Sequence, residues 1–388
     1  MNFSLTDDQR ALQEGARAFA DAELAPHAAE WDATAHFPIE TLRKAGEAGF
    51  MGLYVPEEHG GLGLPRLDSS IILEQLATGC ISTTAYITIH NMVGWMIASF
   101  ATDSCREQWV PAMVAGDKLG SYCLTEPGSG SDAASLRTRA EREGDDYYLS
   151  GSKMFISGAG ATDVLVVMAR TGEPDSGAAG ISAFVVPADA EGISYGKKED
   201  KMGWNSQPTR LVSFDRVRVA AVNRLGEEGE GFRFAMKALD GGRINIATCS
   251  LGAAQKALEL SRDYLGERKQ FGRELAQFQA LQFKLADMAT ELTAARTLVR
   301  LAAFKLDEGD AEASAHCAMA KRFATDMGFE VCNQALQLHG GYGYIREYPL
   351  ERLVRDTRVH QILEGTNEIM RLIIARRLLT PGMIESLA

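Results

Sequence analysis

Residues 281–306 read LQFKLADMATELTAARTLVRLAAFKL, and their apolar positions decide the fold of the last third of the chain. The apolar residues recur in alternating steps of four and three, at Leu281, Leu285, Met288, Leu292, Ala295, Val299, Ala302 and Leu306. This spacing is the seam of a long helix in a helical bundle. Gly309 ends that helix. A second long helix is predicted over residues 311–338, with Gly340 and Gly341 in the position of a C-terminal cap.

Working back from this bundle, the chain changes to a strand pattern between residues 120 and 226. Short runs rich in β-branched residues alternate with Gly- and Asp-rich turns. The candidate strands are 146–149, 153–156, 164–170, 181–186 and 210–217. About six short strands in a segment of this length predict a small β-sandwich or barrel.

The first part of the chain predicts helices again. Apolar residues recur at helical spacing in 5–22, 67–80 and 83–101, and another helix begins near Phe37. We therefore expect an α+β protein whose order is α, β, α. Its three parts are an N-terminal helical domain (1–119), a central β-barrel or sandwich domain (120–226) and a C-terminal four-helix bundle (227–388).

Composition and charge exclude several classes of protein. The 388 residues carry 52 acidic against 40 basic side chains, a net charge of −12, which does not suit nucleic-acid binding. No apolar run reaches the length of a bilayer span, so we expect no membrane insertion. The first residues resemble neither a signal nor a transit peptide, which indicates a cytoplasmic protein, or a mitochondrial matrix protein if the chain is processed. The six Cys and seven His are scattered, so we expect reduced thiols and no metal site.

The segment YCLTEPGSGSD (122–132) joins the helical and strand regions and is suited to holding a polar ligand. Gly128 and Gly130 let backbone amides approach a ligand closely, and Thr125, Ser129 and Ser131 add hydroxyl groups. The dinucleotide fingerprint GxGxxG is absent, because Ala133 occupies its third glycine position. Taken alone, the segment also fits an ordinary turn.

Three further segments are candidates for binding or catalysis, and each also has a purely structural interpretation. Glu364 lies between apolar residues and Gly365, which suits a general base with a raised pKa, although a capping carboxylate has the same pattern. The two glycines of DGGR (240–243) predict a close approach to a helix backbone, or a kink with a surface arginine. KMFIS (153–157) is a strand with aromatic and hydroxyl residues, or simply a half-buried strand.

In this order and spacing, the four segments resemble the acyl-CoA dehydrogenase family over essentially the whole chain. YCLTEPGSGSD resembles its flavin loop and QILEGTNEIMR (361–371) its catalytic-glutamate segment. RKQFG (268–272) and QLHGG (337–341) support the resemblance. It implies FAD in a cleft between the β domain and the bundle, a homotetramer, and electron-transfer flavoprotein as the electron acceptor.

The resemblance also implies site residues. Contacts to the isoalloxazine ring are expected from Tyr122, Cys123, Leu124, Thr125, Glu126, Pro127, Gly128, Ser129, Gly130, Ser131, Phe155, Ile156 and Ser157. Contacts to the FAD of a neighbouring subunit are expected from Arg268, Phe278, Gln279, Gln337, Leu338, His339, Gly340 and Gly341. Further FAD contacts are expected from Thr366, Asn367 and Glu368. Contacts to acyl-CoA are expected from Ser131, Asp240, Gly241, Gly242, Arg243, Leu363, Gly365 and Arg376.

The implied reaction is α,β-dehydrogenation, with Glu364 as the base. Two branches of the family place the base at the position of Gly242, which cannot act here. Leu363 stands where straight-chain members commonly have Tyr, and this favours a branched acyl group. Segments 78–92, 204–210, 241–254 and 358–371 are similar to members that oxidise isobutyryl-CoA to methacrylyl-CoA in valine breakdown. A 2-methylbutyryl- or short straight-chain enzyme, an oxidase of the same fold and a non-catalytic nucleic-acid-binding scaffold are the alternatives.

Overall fold

The computed structural model describes residues 4–380, and its first part is helical. The helices are α1 (Asp7–Phe19), α2 (Ala28–Thr34), α3 (Ile39–Glu47), α4 (Arg66–Gly79), α5 (Ile81–Phe100) and α6 (Asp103–Val114). Thr6 begins α1 with a capping box, because its hydroxyl accepts from the Gln9 N–H while the Gln9 side chain accepts from the Thr6 N–H. The predicted helix 5–22 is regular to Phe19, after which one π-helical turn covers Ala20–Leu24.

The middle part forms one mixed eight-stranded sheet. Its strands are β1 (Gly120–Cys123), β2 (Arg139–Glu143), β3 (Asp146–Ser157), β4 (Val164–Arg170), β5 (Ile181–Pro187), β6 (Ile193–Tyr195), β7 (Thr209–Ala220) and β8 (Arg224–Leu225). The spatial order is β6-β7-β3-β2-β4-β5-β8, and β1 pairs in parallel with β4. The expectation of about six strands was too low.

One long strand replaces the two short strands predicted at 146–149 and 153–156. β3 pairs antiparallel with β7 along its length, with register shifts between Leu149 and Gly151 and between Lys153 and Ile156. Gly151 has φ +148°, and its backbone lies so close to Thr138 that an added Cβ would be 2.6 Å from the Thr138 hydroxyl. Gly151, which lies between the two predicted strands, is therefore an irregularity inside a continuous strand.

The last part is a helical bundle with one small hairpin. Its elements are α7 (Gly231–Glu267), β9 (Lys269–Gln270), β10 (Arg273–Glu274), α8 (Gln279–Asp307), α9 (Ala313–His339), α10 (Leu350–Arg358) and α11 (Asn367–Leu378). The predicted seam is confirmed, because Met288, Leu292, Ala295, Val299 and Ala302 of α8 are all buried in the bundle core. Gly340 ends α9 with φ +58°.

Helix α7 connects the parts of the chain and positions the site. It packs against α4, α5, α8 and α9 and reaches β5 of the sheet. At Gly252 the backbones of α7 and α4 approach so closely that an added Cβ would lie 2.4 Å from the Glu74 carbonyl oxygen. The N-terminal half of α7 lies between the helical and β parts, because its Phe234 and Ala238 share one core with residues of α5 and β5. Residues 240–243 of that half carry the DGGR motif.

Candidate active site

Glu364 lies in the turn between α10 and α11, and its carboxyl group is turned into the protein. Its backbone is left-handed at φ +55°, and the next residue, Gly365, continues at φ +85°. Its Oε2 atom is buried and has no hydrogen-bond partner among the described residues. Burial raises the pKa of Glu364 to about 7, against the opposing charges of Arg243 and Lys321. A carboxyl group whose pKa lies near neutral pH is suited to general acid–base chemistry.

The two adjacent glycines of α7, Gly241 and Gly242, make room for side chains from other elements. An added Cβ at residue 242 would lie 2.3 Å from Oε2 of Glu364 and 3.6 Å from the Met92 sulfur. An added Cβ at Gly241 would lie 2.5 Å from Nη1 of Arg66. The prediction of a close approach is confirmed, and the surface arginine of the alternative is wrong, because Arg243 is buried.

Arg243 is buried rather than on the surface. Its guanidinium donates to Asp240 at 2.5 Å, and Ser314 donates to the same carboxylate oxygen at 2.9 Å. Burial raises the pKa of Asp240, and Arg243 and Ser314 oppose that shift. The charge of Arg243 is therefore paired with that of Asp240. The electrostatic field that acts on Glu364 is that of the Asp240–Arg243 ion pair.

The segment 122–131 and the end of β3 lie side by side, as the resemblance implies. The Met154 N–H donates to the Thr125 carbonyl at 2.8 Å, and the Ser121 hydroxyl donates to the Ser157 carbonyl at 2.7 Å. Lys153 donates to the Leu124 carbonyl at 3.0 Å. These bonds join the loop to β3 as one rigid surface.

Glu126 fixes this loop from inside. Its carboxylate accepts from Lys153 at 2.8 Å and from the N–H groups of Arg137 and Thr138 at 2.6 and 2.9 Å. The other loop and strand residues with buried side chains are Cys123, Leu124, Ser129 and Ile156. Pro127, Gly128, Gly130 and Ser131 are exposed. The buried members can meet a ligand only through their backbone, whereas the exposed members offer both backbone and side chain.

Two aromatic residues mark a ligand surface between the β domain and the bundle. Phe155 has φ +59° and is 62% exposed, an unusual state for a large ring inside a strand. The Tyr122 hydroxyl is buried without a partner, and its pKa is raised by burial and by the negative charge of Glu364. Two orphaned polar atoms, this hydroxyl and Oε2 of Glu364, therefore lie near one another, as expected of groups that a bound ligand completes.

The residues that follow Glu364 are held by capping and by a polar network. The Thr366 hydroxyl caps α11 by accepting from the Ile369 N–H at 3.3 Å. The Asn367 side chain is buried and turned towards α9. Glu368 is exposed and lies 3.5 Å from Arg371. Of these three, only Thr366 and Glu368 leave side-chain atoms available at the surface.

Leu363 forms part of an apolar wall beside Glu364. It is half-buried and packs against a cluster made of Ala77, Ala85, Trp204, Ile246 and Cys249. Arg376 is placed differently, because it lies on the exposed side of α11 while its neighbour Arg377 pairs with Glu312. The structure therefore brings Leu363 to Glu364 and leaves Arg376 in solvent.

A second group of predicted residues lies at the far end of α9. Arg268 is exposed and stacks over the Tyr342 ring at 5.5 Å. His339 is buried, stacks on Tyr264 at 4.2 Å and bonds the Ala335 carbonyl. Leu338 is also buried, Phe278 is half-buried, and Gln279, Gln337, Gly340 and Gly341 are exposed. Along α9, Gln337 lies about 24 Å from Lys321, which contacts the Glu364 segment.

Three residues near Glu364 were not predicted from the sequence. Lys321 is buried on α9 and donates to the Gly365 carbonyl at 2.8 Å. Arg66 lies 3.5 Å above the Tyr54 ring, and burial and the charge of Glu364 both act to raise the pKa of Tyr54. A signal existed for Lys321, a lysine among the small apolar residues of a predicted core helix. None existed for Tyr54 and Arg66, which reach the site only through tertiary packing.

Two negative findings apply to residues 4–380. In this range no group of three or more His, Cys, Asp or Glu side chains is placed to hold a metal ion. In the same range no helix combines the length and the apolar character that a membrane span needs. All six Cys are buried free thiols.

Comparison with family models assigns nearly the whole chain to one family. The acyl-CoA dehydrogenase N-terminal domain matches residues 6–117, the middle domain matches 121–217 and the C-terminal domain matches 229–379. Residues 240–243 and Glu364 lie within the C-terminal match, and segment 122–131 lies within the middle one.

Individual relatives agree with this assignment. The mitochondrial isobutyryl-CoA dehydrogenase of Bos taurus is 56% identical over 378 residues, which cover 97% of this chain and 90% of the relative. The corresponding protein of Dictyostelium discoideum is 53% identical, with 96% and 90% covered.

Solved structures share the fold. Butyryl-CoA dehydrogenase from Megasphaera elsdenii is 40% identical with a TM-score of 0.94, covering 98% of this chain and 100% of that chain. A structure described as PigA with FAD and proline is 28% identical with a TM-score of 0.94, covering 97% and 99%.

Proposed function

The chain belongs to the acyl-CoA dehydrogenase family of oxidoreductases, and from this premise we propose that it oxidises isobutyryl-CoA to methacrylyl-CoA. The observation that carries the proposal is the Glu364 carboxyl group, which is buried, unpartnered and admitted by the absence of a side chain at Gly242. This is the arrangement that proton abstraction from a weakly acidic carbon requires.

FAD is the cofactor of the proposed reaction. Its isoalloxazine ring would lie on the surface formed by segment 122–131 and Phe155–Ser157, with Thr366 and Glu368 beyond it. The residues fit such a group, because the exposed Phe155 ring and the orphaned Tyr122 hydroxyl both lack protein partners that would satisfy them. When bound, FAD supplies the acceptor for the hydride that leaves the β-carbon. The printed description of PigA supports this cofactor for the fold.

Glu364 carries the proton chemistry. The α-hydrogen of a thioester is a weak acid, so the base needs a pKa high enough to accept the proton yet low enough to be ionised at working pH. Burial raises the pKa of Glu364, while Arg243 and Lys321 restrain the rise. In the proposed reaction the α-proton ends on the Glu364 carboxylate, and the surrounding apolar wall excludes water that would compete for it.

The shape of the wall favours a branched acyl group. A methyl branch at the α-carbon needs lateral space beside the base rather than a deeper pocket. Leu363 is narrower than Tyr at the residue directly before Glu364, and it packs against Ala85 and Ile246 of the apolar cluster. The two relatives named as isobutyryl-CoA dehydrogenases support the same substrate. Valine breakdown is the pathway that such a substrate implies.

An assembly of several chains is part of the proposal. The second residue group lies about 24 Å along α9 from Lys321 and presents Arg268, Gln337 and Gly341 to solvent. The outer face of α8 exposes Phe283, Leu301 and Phe304, and the β9–β10 hairpin exposes Phe271 at 93%. Apolar faces of this kind need a partner. A homotetramer in which this group contacts a neighbour's FAD accounts for both features, and electron-transfer flavoprotein is the proposed acceptor.

A substrate panel tests the proposed function. The purified protein should have a flavin spectrum, and isobutyryl-CoA should bleach it under anaerobic conditions. Steady-state kcat/KM with an artificial electron acceptor should be higher for isobutyryl-CoA than for butyryl-, isovaleryl- or 2-methylbutyryl-CoA. A tenfold advantage for any of the other three would overturn the substrate, and rapid flavin reoxidation in air would make the protein an oxidase instead.

A further inference from the structure

Lys321 is a charged residue in a place where a helix normally has an apolar one. It lies on α9 among Cys317, Ala318, Ala320 and Ala324, all buried, and its own side chain is fully buried. A buried ammonium group persists only when its hydrogen bonds are satisfied. Its Nζ donates to the Gly365 carbonyl at 2.8 Å and to Oδ1 of Asn367 at 2.9 Å. Both acceptors belong to the turn that carries Glu364.

The same stretch of α9 holds this turn on both sides of Glu364. Asn367 donates from its Nδ2 atom to the Thr325 hydroxyl at 3.0 Å and to Oδ1 of Asp326 at 2.7 Å. The same oxygen of Asp326 accepts from Gln361 at 2.9 Å, three residues before Glu364. The turn is therefore attached to α9 before and after the carboxyl-bearing residue.

The backbone of the turn needs such attachment. Glu364 has φ +55°, which costs a residue with a side chain roughly 1–2 kcal/mol relative to the right-handed region. Gly365 is also left-handed, and its carbonyl is the group that Lys321 binds. A conformation of this kind persists where surrounding contacts over-determine it. The hydrogen bond from Lys321 fixes the peptide unit that follows the two left-handed residues.

The ammonium group also adds positive charge at the site. The groups that face Glu364 are Arg243 from α7, Lys321 from α9, Tyr54 from the segment before α4, and Tyr122 from β1. Arg243 is neutralised by Asp240 at 2.5 Å, and the two tyrosines are neutral at working pH. The two acceptors of Lys321 are uncharged, so no carboxylate accepts a hydrogen bond from its ammonium group, although Asp326 acts on its charge through space.

The surroundings of Lys321 keep this charge present at neutral pH. Burial lowers the pKa of Lys321 to about 8, and Glu364 and Asp326 oppose that shift. Arg243 and Glu368 also act on it, with opposite signs. The nearby His360 stays neutral, because burial lowers its pKa to about 3.

We propose that Lys321 is a positioning residue for the reaction, which fixes the turn bearing Glu364 and adds to Arg243 a second positive charge that favours the ionised form of its carboxyl group. This inference rests on the function proposed above for Glu364. It assigns two effects to one side chain, a geometric effect through the Gly365 carbonyl and an electrostatic effect through space. Variants can separate them.

The test compares Lys321→Met, Lys321→Gln and Lys321→Arg in the flavin-loaded protein. Lys201→Met is the matched control, because Lys201 is another largely buried lysine that bonds a carbonyl, that of Gln207 at 2.7 Å, and a side chain, that of Thr209 at 2.8 Å. Burial lowers the pKa of Lys201 to about 8 as well. The measurements are flavin content, acyl-CoA affinity, and kcat and kcat/KM from about pH 5 to about pH 9.

Lys321→Met should keep flavin and acyl-CoA affinity while kcat falls roughly 100-fold, the loss expected from a misplaced base. The acid limb of its kcat/KM profile should move upward by about one pH unit or more, because an opposing charge near a carboxylate lowers its pKa by about that amount. Lys321→Arg should keep the limb near its wild-type position. Lys201→Met should change neither kcat nor the limb.

An unmoved acid limb in Lys321→Met would reduce Lys321 to a structural role and overturn the proposal, as would unchanged kcat. If Lys321→Met does not fold, Lys321→Gln removes the charge while keeping a donor, and its pH profile decides. A wild-type protein inactive with every acyl-CoA overturns the proposed function instead. The infrared carboxyl band that Glu364→Gln abolishes would then still show whether Lys321 controls the ionisation of Glu364.

Discussion

The β domain and the bundle each place a buried lysine near a glutamate, Lys153 near Glu126 and Lys321 near Glu364. The two pairs differ in the groups that the lysine binds. Each lysine is fully buried and donates to one backbone carbonyl and one side-chain oxygen. In the β domain the lysine donates to the carboxylate itself, which also accepts hydrogen bonds from two backbone N–H groups. In the bundle the lysine binds the backbone beyond the carboxylate, and Oε2 of Glu364 is left without a partner.

The difference separates an anchoring carboxylate from the carboxylate that we propose as the base. Burial acts to raise the pKa of Glu126, but Lys153 and the N–H donors outweigh it, and the net shift is downward. Burial raises the pKa of Glu364 to about 7, and the more distant cations offset only part of that rise. Burial alone therefore does not identify a base, since what matters is whether the partner's hydrogen bonds reach the carboxylate.

The largest expected effect comes from removing the carboxylate of the proposed base. Glu364→Gln is near-isosteric but cannot accept a proton, so turnover should fall by about 10²–10⁴-fold, the contribution typical of a general base. Flavin content and acyl-CoA binding should be retained. Anaerobic flavin bleaching by isobutyryl-CoA is the measurement, and bleaching at a rate comparable to wild type would remove Glu364 from the mechanism.

Breaking the Glu126–Lys153 pair should mainly lower the stability of the fold. Lys153→Met leaves Glu126 buried without its cation, and the loss of one partner of a buried pair costs about 3–5 kcal/mol in the free energy of unfolding. Lys321→Met should cost less, because its acceptors are uncharged. Chemical unfolding followed by circular dichroism, with flavin fluorescence for cofactor release, measures both. Equal losses in the two variants would contradict the distinction.

The space that Gly242 leaves for the Glu364 carboxylate can be filled directly. Gly242→Ala places a Cβ 2.3 Å from the present position of Oε2, so the carboxyl group must move. Displacement of a base by about 1 Å can cost roughly 100-fold in rate. Gly266→Ala on the same helix is the control, since nothing lies within 4 Å of its added Cβ. Wild-type kcat in Gly242→Ala would show that the close approach is not required.

A smaller effect is expected at the apolar wall. Leu363→Tyr should shift preference from isobutyryl-CoA towards butyryl-CoA, by about 10–200-fold in the ratio of their kcat/KM values, the range for one methyl group in an apolar pocket. Leu363→Met, which conserves volume, should leave the ratio nearly unchanged. A preserved ratio in Leu363→Tyr would mean that other residues select the branch.

The smallest expected effect is a contrast in how stability depends on pH. The pKa of Glu364 is higher in the folded state than in the unfolded state. Its contribution to the free energy of unfolding is therefore fully present below the unfolded-state pKa near 4.5 and is lost as pH rises through about 7. Glu364→Gln should therefore be more stable than wild type above neutrality by roughly 1–3 kcal/mol and similar to it in acid.

Glu126 should show the opposite pH dependence. Its folded-state pKa is lowered, so its contribution is present above the unfolded value and is lost as pH falls through the folded value. Glu126→Gln should therefore be least stable relative to wild type at neutral and alkaline pH, and the deficit should shrink in acid. Unfolding curves at several pH values check both carboxylates. Parallel pH dependences for the two variants would contradict the comparison.

The sequence predicted some features of the fold and missed others. The α8 seam could be predicted because its apolar positions repeat locally along the chain. The close approach at Gly241 and Gly242 could be predicted because two adjacent glycines inside a helix are costly. Strand β2 was missed, because its residues RAERE are mostly polar and only its pairing with β3 makes it a strand. Local patterns do not record pairings with distant segments.

The Lys321 contact illustrates the same limit. Lys321 and Gly365 are separated by 44 positions in the chain, and they meet only because α9 packs against the turn before α11. A buried lysine among alanines signals that something distant satisfies it, but not what that partner is. The Glu126–Lys153 pair likewise joins a loop to a strand 27 positions away.

The separation of two residue groups along α9 has a consequence for cofactor retention. If each FAD is held by Tyr122 and Phe155 of one chain and by Arg268 and Gln337 of another, association of chains and binding of flavin are one linked equilibrium. Mass action then makes the flavin a stabiliser of the assembly and the assembly a stabiliser of bound flavin. Dilution should release FAD and dissociate the subunits over the same range of protein concentration. Added FAD should lower the protein concentration at which the assembly dissociates.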